Sequence, residues 1–216
     1  MKRAVVLMTA MTLCLGTALA RKHKKSDASG PAKFDYYILA LSWAPNFCTD
    51  HPGDNSSECK TGNHTGFVLH GLWPSANSGA PPMSCKPASP VGASTVRHML
   101  EYFPTKGLIQ HEWEKHGTCS GLSAQDYFAH AEQAFKAVKV PDKYSNLDHS
   151  QQIKVSEIEQ NFAQANNAPQ DAFRLSCHAG ALVAVEACLD KDLKYEACPK
   201  SARECPADQV KLAPVK

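Results

Sequence analysis

Two apolar stretches in the first half of the chain predict buried β-strands. Phe34–Trp43 is rich in aromatic and branched side chains, as strands of a buried sheet are. Gly66–His70 is the second, and the alternation of a strand places His70 on the face opposite Leu69. His70 is expected at the end of this strand, where Gly71 lets the chain turn.

The later part of the chain combines helical and strand patterns. The spacing of apolar residues predicts helices at about 92–103, 109–117, 123–139 and 150–166. Ser123 with Asp126 has the outline of an N-terminal capping box. Ala181–Cys188 and Leu193–Ala197, separated by a short polar turn, predict a hairpin. The sequence therefore indicates the α+β class, with a central antiparallel or mixed β-sheet packed with α-helices.

The first 33 residues are predicted to lie outside the folded part. Residues 1–20 have a positive start, an apolar core and the small residues Ala18 and Ala20 before a cleavage point, which together are typical of a secretory signal peptide. The basic residues 21–33 predict a disordered leader. Residues 34–216 are expected to form a single domain, and the mature protein to be secreted or periplasmic, with no membrane span.

Cysteine usage agrees with export. The chain has nine cysteines, and removal of Cys14 with the signal peptide leaves eight. An even number of cysteines in an exported chain predicts disulfides, although the count leaves their pairing open. Buried free thiols are the alternative, and they fit a cytoplasmic protein better. No C-x-x-C pair is present, so a zinc site is not expected.

Charge limits how this protein can bind a polyanion. From Ser26 onward the chain has 17 basic and 21 acidic residues, so its folded part is mildly acidic. Proteins that bind nucleic acid without cleaving it usually present a broad basic surface. Contact with nucleic acid must therefore depend on a few side chains at a local site.

Two short segments contain most of the residues able to do chemistry, Phe67–Pro74 and His111–Cys119. With about 100° of rotation per residue, the second segment as a helix has four polar side chains on one stripe about 140° wide. They are His111, Glu112, Lys115 and His116. The carboxylate of Glu112 is expected to influence the imidazole of His116, four residues further on. A solvated helix face could carry the same charges, but it seldom includes two histidines beside a disulfide cysteine.

The His-Glu pair that opens the second segment also opens the signature of zinc metalloproteases. That signature places two histidines four residues apart on one helix face. His111 and His116 are five residues apart, which turns them about 140° away from each other. This spacing does not suit chelation of one ion from a regular helix, so no metal is expected.

A histidine from a strand and another from a helix suit the cleavage of a phosphodiester without a metal. Alone, His70 would more often be structural, but His116 supplies the second imidazole that acid–base catalysis needs. One imidazole removes the proton from a ribose 2′-OH, and the other protonates the departing 5′-oxygen, leaving a 2′,3′-cyclic phosphate. Lys115, Glu112 and His111 would surround the charged phosphorus. DNA lacks the 2′-OH, so only RNA cleavage is expected.

Both segments resemble the active-site segments of the T2 family of secreted acid ribonucleases, the Rh and S-glycoprotein type. The order and separation of Phe67–Pro74 and His111–Cys119 agree with that family, as does Leu41–Trp43 on the first strand. The resemblance extends from about Phe34 to Cys205. It implies a ribonuclease Rh-like α+β fold with a central antiparallel sheet, stabilised by disulfides, and no cofactor.

The resemblance also implies a role for each site residue. His70 would be the proton donor and His116 the proton acceptor, an assignment that the sequence alone does not make. Glu112 and Lys115 would stabilise the transition state, and His111 would bind the phosphate. The family's disulfide scheme pairs Cys48 with Cys59, Cys85 with Cys119, Cys177 with Cys205, and Cys188 with Cys198.

Base recognition departs from the family pattern. Many members have Asp directly after the Trp-Pro and Tyr several residues later, both used to bind a base, and here these places hold Ser75 and Pro81. Trp73 is retained as a candidate base-stacking surface, with core packing as the alternative. Low base specificity is therefore expected.

The sequence as a whole predicts a monomeric, exported endoribonuclease whose partner is RNA. The competing class is a secreted, disulfide-rich binding protein that keeps the same fold without using its chemistry. Loss of a catalytic residue would favour that class, and the chain retains all four: His70, Glu112, Lys115 and His116.

Overall fold

Within the described residues, a sheet of six strands is the centre of the fold. The structure, a computed structural model, describes residues 33–200 and 205–215. The predicted signal peptide (1–20) and all but the last residue of the predicted leader (21–33) lie outside the described residues. The strands are β1 (Tyr36–Trp43), β2 (Phe67–Ser75), β3 (Gln151–Lys154), β4 (Phe173–His178), β5 (Ala181–Leu189) and β6 (Gln209–Leu212). The helices are α1 (Ala44–Asp50), α2 (Ala93–Met99), α3 (Lys106–Lys115), α4 (Ala124–Ala137), α5 (Asp142–Ser145) and α6 (Val155–Ala165).

The strands pair mainly in the antiparallel sense. The hydrogen-bonded order is β2-β1-β5-β6-β3, and β4 pairs with β5 outside this path. The contact between β5 and β6 is parallel, through Ala181 and Lys211, whereas the other pairings are antiparallel. The predicted α+β fold, with a central sheet, helices and disulfides, is confirmed.

The two faces of the sheet have different neighbours. Leu39 and Leu41 of β1 belong to the main core, which they share with fully buried rings such as Tyr127 of α4 and Phe162 of α6. Burying a side chain of this size contributes about 1.5–3 kcal/mol to folding. The opposite face, which we call the site face, includes the alternate residues of β1: Tyr36, Ile38 and Ser42.

β2 is longer than the sequence predicted. The prediction ended this strand at His70 and assigned Gly71 to a turn, but β2 continues beyond both and stays paired with β1. The pairing contains a β-bulge, because Ala40 faces Gly71 while Leu41 faces Leu69. His70 is therefore the extra residue, and a bulge of this kind re-aims the side chains around it.

Two predictions for the last third of the chain were only partly right. The helix predicted at 150–166 begins only with α6, because Gln151–Lys154 forms β3 against β6. The hairpin predicted from Ala181–Cys188 and Leu193–Ala197 forms only at its turn, where the Asp190 N–H bonds to the Lys194 carbonyl at 2.8 Å, because most of β5 pairs with β1 and β4. The second of those segments contributes an isolated bridge to β5. β4 and β5 are instead joined at Gly180, whose φ of +77° suits glycine.

Side-chain caps define where two of the helices begin. Ser123 Oγ accepts a hydrogen bond from the Asp126 N–H at 3.1 Å, which confirms the predicted N-cap, and the Asp126 carboxylate accepts from the Ser123 hydroxyl at 2.7 Å instead of from the Ser123 N–H of a full capping box. Thr105 caps α3 by accepting from the Leu108 N–H at 3.0 Å. In the described part of the chain, no helix has both the length and the apolar character needed to cross a bilayer.

Four disulfides join cysteines of the described residues. They are Cys48–Cys59, Cys85–Cys119, Cys177–Cys205 and Cys188–Cys198, the pairs that the family resemblance implies. The bridge of Cys85 and Cys119 ties the loop after β2 to the 3₁₀ turn Gly117–Cys119 that follows α3. It thereby links the two segments that carry the predicted site residues.

Candidate active site

His70 projects from the bulge of β2 onto the site face. In a regular strand, residues three apart such as His70 and Trp73 lie on opposite faces. The bulge changes this relation, and the two ring centroids are 5.4 Å apart. Ser42 Oγ lies 2.8 Å from Nδ1 of His70 and orients the imidazole. The His70 side chain is 37% exposed, so a ligand can reach it.

α3 carries the second group of site residues. The predicted helix at 109–117 both begins and ends earlier, because Thr105 is its N-cap and Lys115 its last residue. His116 occupies the C-cap, and its N–H still bonds to the Glu112 carbonyl at 3.0 Å. The 3₁₀ turn that follows is pinned by the disulfide of Cys119.

The four polar residues predicted to share one stripe differ in burial. The side chain of Glu112 is 1% exposed and His116 is 8% exposed, whereas Lys115 is half-buried and His111 is exposed. His111 and Lys115 still act on one group, because the positive charge of each lowers the pKa of His70. The structure therefore brings side chains of α3 close to the histidine of β2.

Glu112 is buried between α3 and β2 with two partners. The indole N–H of Trp73 donates to its Oε2 at 2.7 Å, and its Oε1 lies 3.7 Å from Nε2 of His70. Gly71 makes this approach possible, since a Cβ at that position would lie 2.0 Å from Oε2 of Glu112. The glycine that the sequence assigned to a turn is needed for close packing instead.

Trp73 lies against both predicted catalytic histidines. Its ring stacks on His116 with centroids 5.2 Å apart and an interplanar angle of 27°, and it meets His70 edge-on at 84°. Base stacking and core packing were the two roles considered from the sequence. The structure adds a third, because the same indole also holds the Glu112 carboxyl group.

The pKa values of His70 and Glu112 move in opposite directions. Burial lowers the pKa of His70 to about 4, and the charges of His111 and Lys115 act in the same direction. Burial raises the pKa of Glu112 to about 8, although the Trp73 hydrogen bond and Lys115 oppose the shift. At pH values between these two, Glu112 carries a proton and the imidazole of His70 is neutral. A negatively charged phosphate beside His70 would favour the imidazolium form.

A cavity of about 210 Å³, which we call the His70 cavity, opens beside that imidazole. Phe47 and Leu108 supply apolar walls, and Asp54 and Glu58 supply carboxyl groups. Burial and the neighbouring Asp54 raise the pKa of Glu58 to about 7. The cavity is therefore less negative at mildly acidic pH than at neutral pH.

His111 of α3 and His116 at its C-cap have different surroundings. His111 is exposed, whereas His116 is buried and stacked on Trp73. The sequence predicted that their spacing does not allow them to chelate one ion. Among residues 33–200 and 205–215, no group of three or more His, Cys, Asp and Glu side chains is arranged to hold a metal ion.

Ser42 is the site residue that sequence reasoning missed. It belongs to the segment Leu41–Trp43 that carries part of the resemblance, but no role was assigned to it. The sequence did contain an indication of a role for Ser42, because it is the one small polar residue in the otherwise apolar β1. The bulge in β2 then brings the His70 ring within hydrogen-bond distance of this hydroxyl.

Comparison with known proteins identifies the family of this chain. The family model described as the ribonuclease T2 family matches residues 34–198. The chain belongs to the ribonuclease T2 family. The segments Phe67–Pro74 and His111–Cys119, with His70 and His116, lie inside the matched region.

Relatives of this T2 chain include bacterial and plant proteins. A probable ribonuclease of Haemophilus influenzae is 42% identical over 141 residues, which cover 58% of this chain and 50% of the relative. A ribonuclease of Aeromonas hydrophila is 42% identical over 129 residues, which cover 59% and 54%. The chain thus spans about half the length of these two relatives. The RNase-related protein from Calystegia sepium has a similar structure, with a TM-score of 0.69 and 25% identity over 85% of this chain and 99% of that protein.

Proposed function

We propose that this protein is an exported endoribonuclease that cleaves single-stranded RNA by transesterification without a metal ion. The observation that carries the proposal is that His70 and His116 lie against the same indole, with centroids 5.4 and 5.2 Å from that of Trp73. Two imidazoles at one site supply an acid and a base for a single reaction. Membership of the T2 family supports the same activity.

The reaction begins at the ribose. His116 accepts the proton of the 2′-OH, and the oxygen attacks the adjacent phosphorus. His70 donates a proton to the departing 5′-oxygen, so the other fragment ends in a 2′,3′-cyclic phosphate. The assignment of acceptor and donor follows the family resemblance. DNA is not cleaved, because it lacks the attacking hydroxyl.

Side chains of α3 stabilise the charged transition state. Lys115 and His111 supply positive charge for the phosphoryl oxygens, and their effect on the pKa of His70 supports a position close to the reacting group. Glu112, held by Trp73, passes its proton to His70 as His70 protonates the departing 5′-oxygen, and Glu112 is left as a carboxylate. Groups fixed in this way need no rearrangement during the reaction, which is why such electrostatic contributions are large.

The departing nucleotide occupies the His70 cavity. The proton donor lines this cavity, and its apolar walls suit a flat base. Ionised Glu58 would repel the RNA backbone, so the pKa of about 7 favours binding at acidic pH. Low base specificity is expected, since Ser75 and Pro81 replace the side chains with which many family members bind a base.

Export is the expected setting for this enzyme. Four disulfides among the described residues suit an oxidising compartment outside the cytoplasm. The predicted signal peptide at residues 1–20 would direct the chain there. The secreted or periplasmic enzyme is expected to act as a monomer on RNA, without a cofactor.

One assay separates this proposal from its alternatives. Purified protein is incubated with RNA and with DNA of the same sequence in EDTA, and the product ends are analysed. Cyclic phosphate ends from RNA, with intact DNA, support the proposal. RNA binding without cleavage would instead indicate a binding protein of the same fold. Activity that disappears in EDTA would indicate a metallohydrolase.

Trp73→Phe is expected to lower kcat about tenfold, because it removes the hydrogen bond that holds Glu112, worth about 1–1.5 kcal/mol. The phenyl ring still stacks on His116, so KM changes little. Trp73→Ala removes the ring as well, and it raises KM if the indole also stacks on a base. Steady-state kinetics on a defined oligonucleotide measures both effects, and an unchanged kcat for Trp73→Phe would remove the positioning role.

Glu112→Gln is expected to change the pH profile of kcat/KM. In the wild-type protein the proton shared with Glu112 remains available to His70 until the pH approaches about 8. Gln cannot hold that proton, and the pKa of His70 is lowered to about 4 by burial and by the charges of His111 and Lys115. The alkaline limb therefore moves to lower pH, which rate measurements from acidic to alkaline pH would detect. Glu114→Gln, at an exposed neighbour, is the control, and an unmoved limb in Glu112→Gln would contradict proton sharing.

Cys119→Ala is expected to lower both the melting temperature and the activity. The lost bridge closes a loop with a sequence separation of 34. In the chain-entropy model, a bridge of this span contributes about 3–4 kcal/mol to the free energy of unfolding. Activity falls as well, because the bridge fixes the turn that follows His116. Cys177→Ala is the control, because it breaks a bridge on β4 whose sequence separation, 28, is similar. It should lower stability with less effect on activity. Unchanged melting and activity in Cys119→Ala would contradict this role.

A further inference from the structure

Ser42 contacts His70, but the proposed reaction gives it no step. It lies on β1, which is paired on both sides, and it faces Val68 of β2 and Ala184 of β5. The hydroxyl group of a serine is joined to the backbone through one rotatable side-chain bond, so the paired strand holds its oxygen in place. Ser42 is half-buried and lines the His70 cavity. A fixed hydroxyl group therefore borders the space proposed for the departing nucleotide.

The two ring nitrogens of His70 have different neighbours. Nδ1 lies 2.8 Å from Oγ of Ser42, and Nε2 lies 3.7 Å from Oε1 of Glu112. A half-turn of the ring would place carbon atoms beside the hydroxyl group and the carboxyl group, so both would lose a nitrogen neighbour. The ring orientation is thus determined by Ser42 on one side and Glu112 on the other. Nε2 is the nitrogen on the side of α3, whose residues are proposed to hold the phosphate.

The neighbours of the two nitrogens determine which one carries hydrogen, because a neutral imidazole has one N–H and accepts at its other nitrogen. Oε2 of Glu112 already accepts from the indole of Trp73 at 2.7 Å, which leaves Oε1 to carry the carboxyl proton. With the pKa of Glu112 raised to about 8 and that of His70 lowered to about 4, that proton is present at neutral pH and the imidazole is neutral. Oε1–H faces Nε2, so Nε2 is the acceptor and the N–H lies at Nδ1, beside the oxygen of Ser42.

We propose that Ser42 is a positioning residue: its oxygen accepts the Nδ1–H of His70, so that Nε2 is the nitrogen that passes a proton from Glu112 to the departing 5′-oxygen. This step rests on the proposed function. The Oε1–H bond of Glu112 breaks as an Nε2–H bond forms, and Nε2 gives a proton to the 5′-oxygen as the bond from phosphorus to that oxygen breaks. The Nδ1–H bond stays intact, and Glu112 ends as a carboxylate. The gap of 3.7 Å between Oε1 and Nε2 is expected to close in the complex, as catalytic contacts often do.

Nitrogen NMR of the histidine rings tests this arrangement without RNA. In protein labelled with ¹⁵N at histidine, the chemical shift of each ring nitrogen shows whether it carries hydrogen, and the His70 signals are those missing from His70→Ala. At neutral pH the wild-type protein is expected to have hydrogen on Nδ1 and none on Nε2. Ser42→Ala removes the acceptor and should give a mixture of the two tautomers, whereas Ser42→Thr keeps a hydroxyl group and should retain the wild-type pattern. Hydrogen on Nε2 in the wild-type protein, or an unchanged tautomer in Ser42→Ala, would overturn the proposal.

Kinetics on RNA shows whether the tautomer matters for the reaction. Ser42→Ala is expected to lower kcat about tenfold, the effect of one lost hydrogen bond, with little change in KM, and Ser42→Thr should keep most of the wild-type kcat. Ser176→Ala is the matched control, because Ser176 is also half-buried and faces Ala184 from the other side of β5; it should leave kcat unchanged.

Two kinetic outcomes would contradict the positioning role. A wild-type kcat in Ser42→Ala would show that the contact has no part in the reaction, and an equal loss in Ser42→Ala and Ser42→Thr would show that the hydroxyl group is not what matters. Failure of the proposed function is recognised separately, since a protein with the expected tautomer would then leave RNA intact.

Discussion

His116→Ala is expected to lower kcat on RNA by about a thousandfold, within the range that a positioned acid or base contributes. In the proposed mechanism the imidazole of His116 accepts the 2′-OH proton, so the substitution removes the general base. The rate of cyclic-phosphate formation at saturating RNA measures the effect. His70→Ala should lower kcat by a similar factor. The double variant should have a kcat only slightly lower than either single variant, because the effects of residues that act in one step are not additive.

Two controls separate this loss from misfolding. His116 is buried and stacked on Trp73, so its replacement also removes packing, and thermal unfolding must accompany each rate. His149→Ala changes an exposed histidine and should leave the rate unchanged. A His116→Ala protein that folds and keeps more than a tenth of the activity would contradict the two-imidazole mechanism.

Gly71→Ala is expected to lower kcat/KM about a hundredfold, although it adds a single methyl group to a residue with no chemistry of its own. The new Cβ would lie 2.0 Å from Oε2 of Glu112 and 2.5 Å from Nε1 of Trp73. Both groups must move, which breaks the hydrogen bond between them and displaces the carboxyl group from His70. Overpacking of this kind also costs about 1–3 kcal/mol of stability.

The same substitution at an open glycine is the matched control. A Cβ at Gly92 would have no neighbour within 4 Å, so Gly92→Ala should retain both activity and melting temperature. Adding Glu112→Asp to Gly71→Ala shortens the crowded side chain and should restore part of the lost stability. Wild-type kcat/KM in Gly71→Ala would show that the Glu112 position does not matter for the reaction.

Some elements could be predicted because their signals are local. The N-cap at Ser123 and the four polar residues around α3 depend on neighbours a few residues away. β3 was missed for the opposite reason: Gln151–Lys154 has one buried apolar residue, and its pairing depends on β6 near the other end of the chain. β5 was recognised as a strand, but its partners β1 and β4 could not be identified from the hairpin pattern.

The sequence was enough to select the residues of the candidate site, but not the contacts between them. Residue type and helical spacing were enough to select Glu112 and His116. The hydrogen bond from Trp73 to Glu112 could not be foreseen, because it requires the bulge at His70 and an opening at Gly71. A glycine after a strand residue is compatible with a turn or with close packing, and only the position of α3 distinguishes them.

The bulge in β2 also determines how ordered the site is before substrate arrives. A regular strand presents same-face side chains every second residue, about 6.6 Å apart, and the extra residue allows His70 and Trp73 to share a face at an odd spacing. Both stay on a strand paired with β1 on either side of the bulge, so no flexible loop separates them. Their conformational entropy is lost when the sheet folds, so the substrate proposed above would meet a preorganised pair without having to order it.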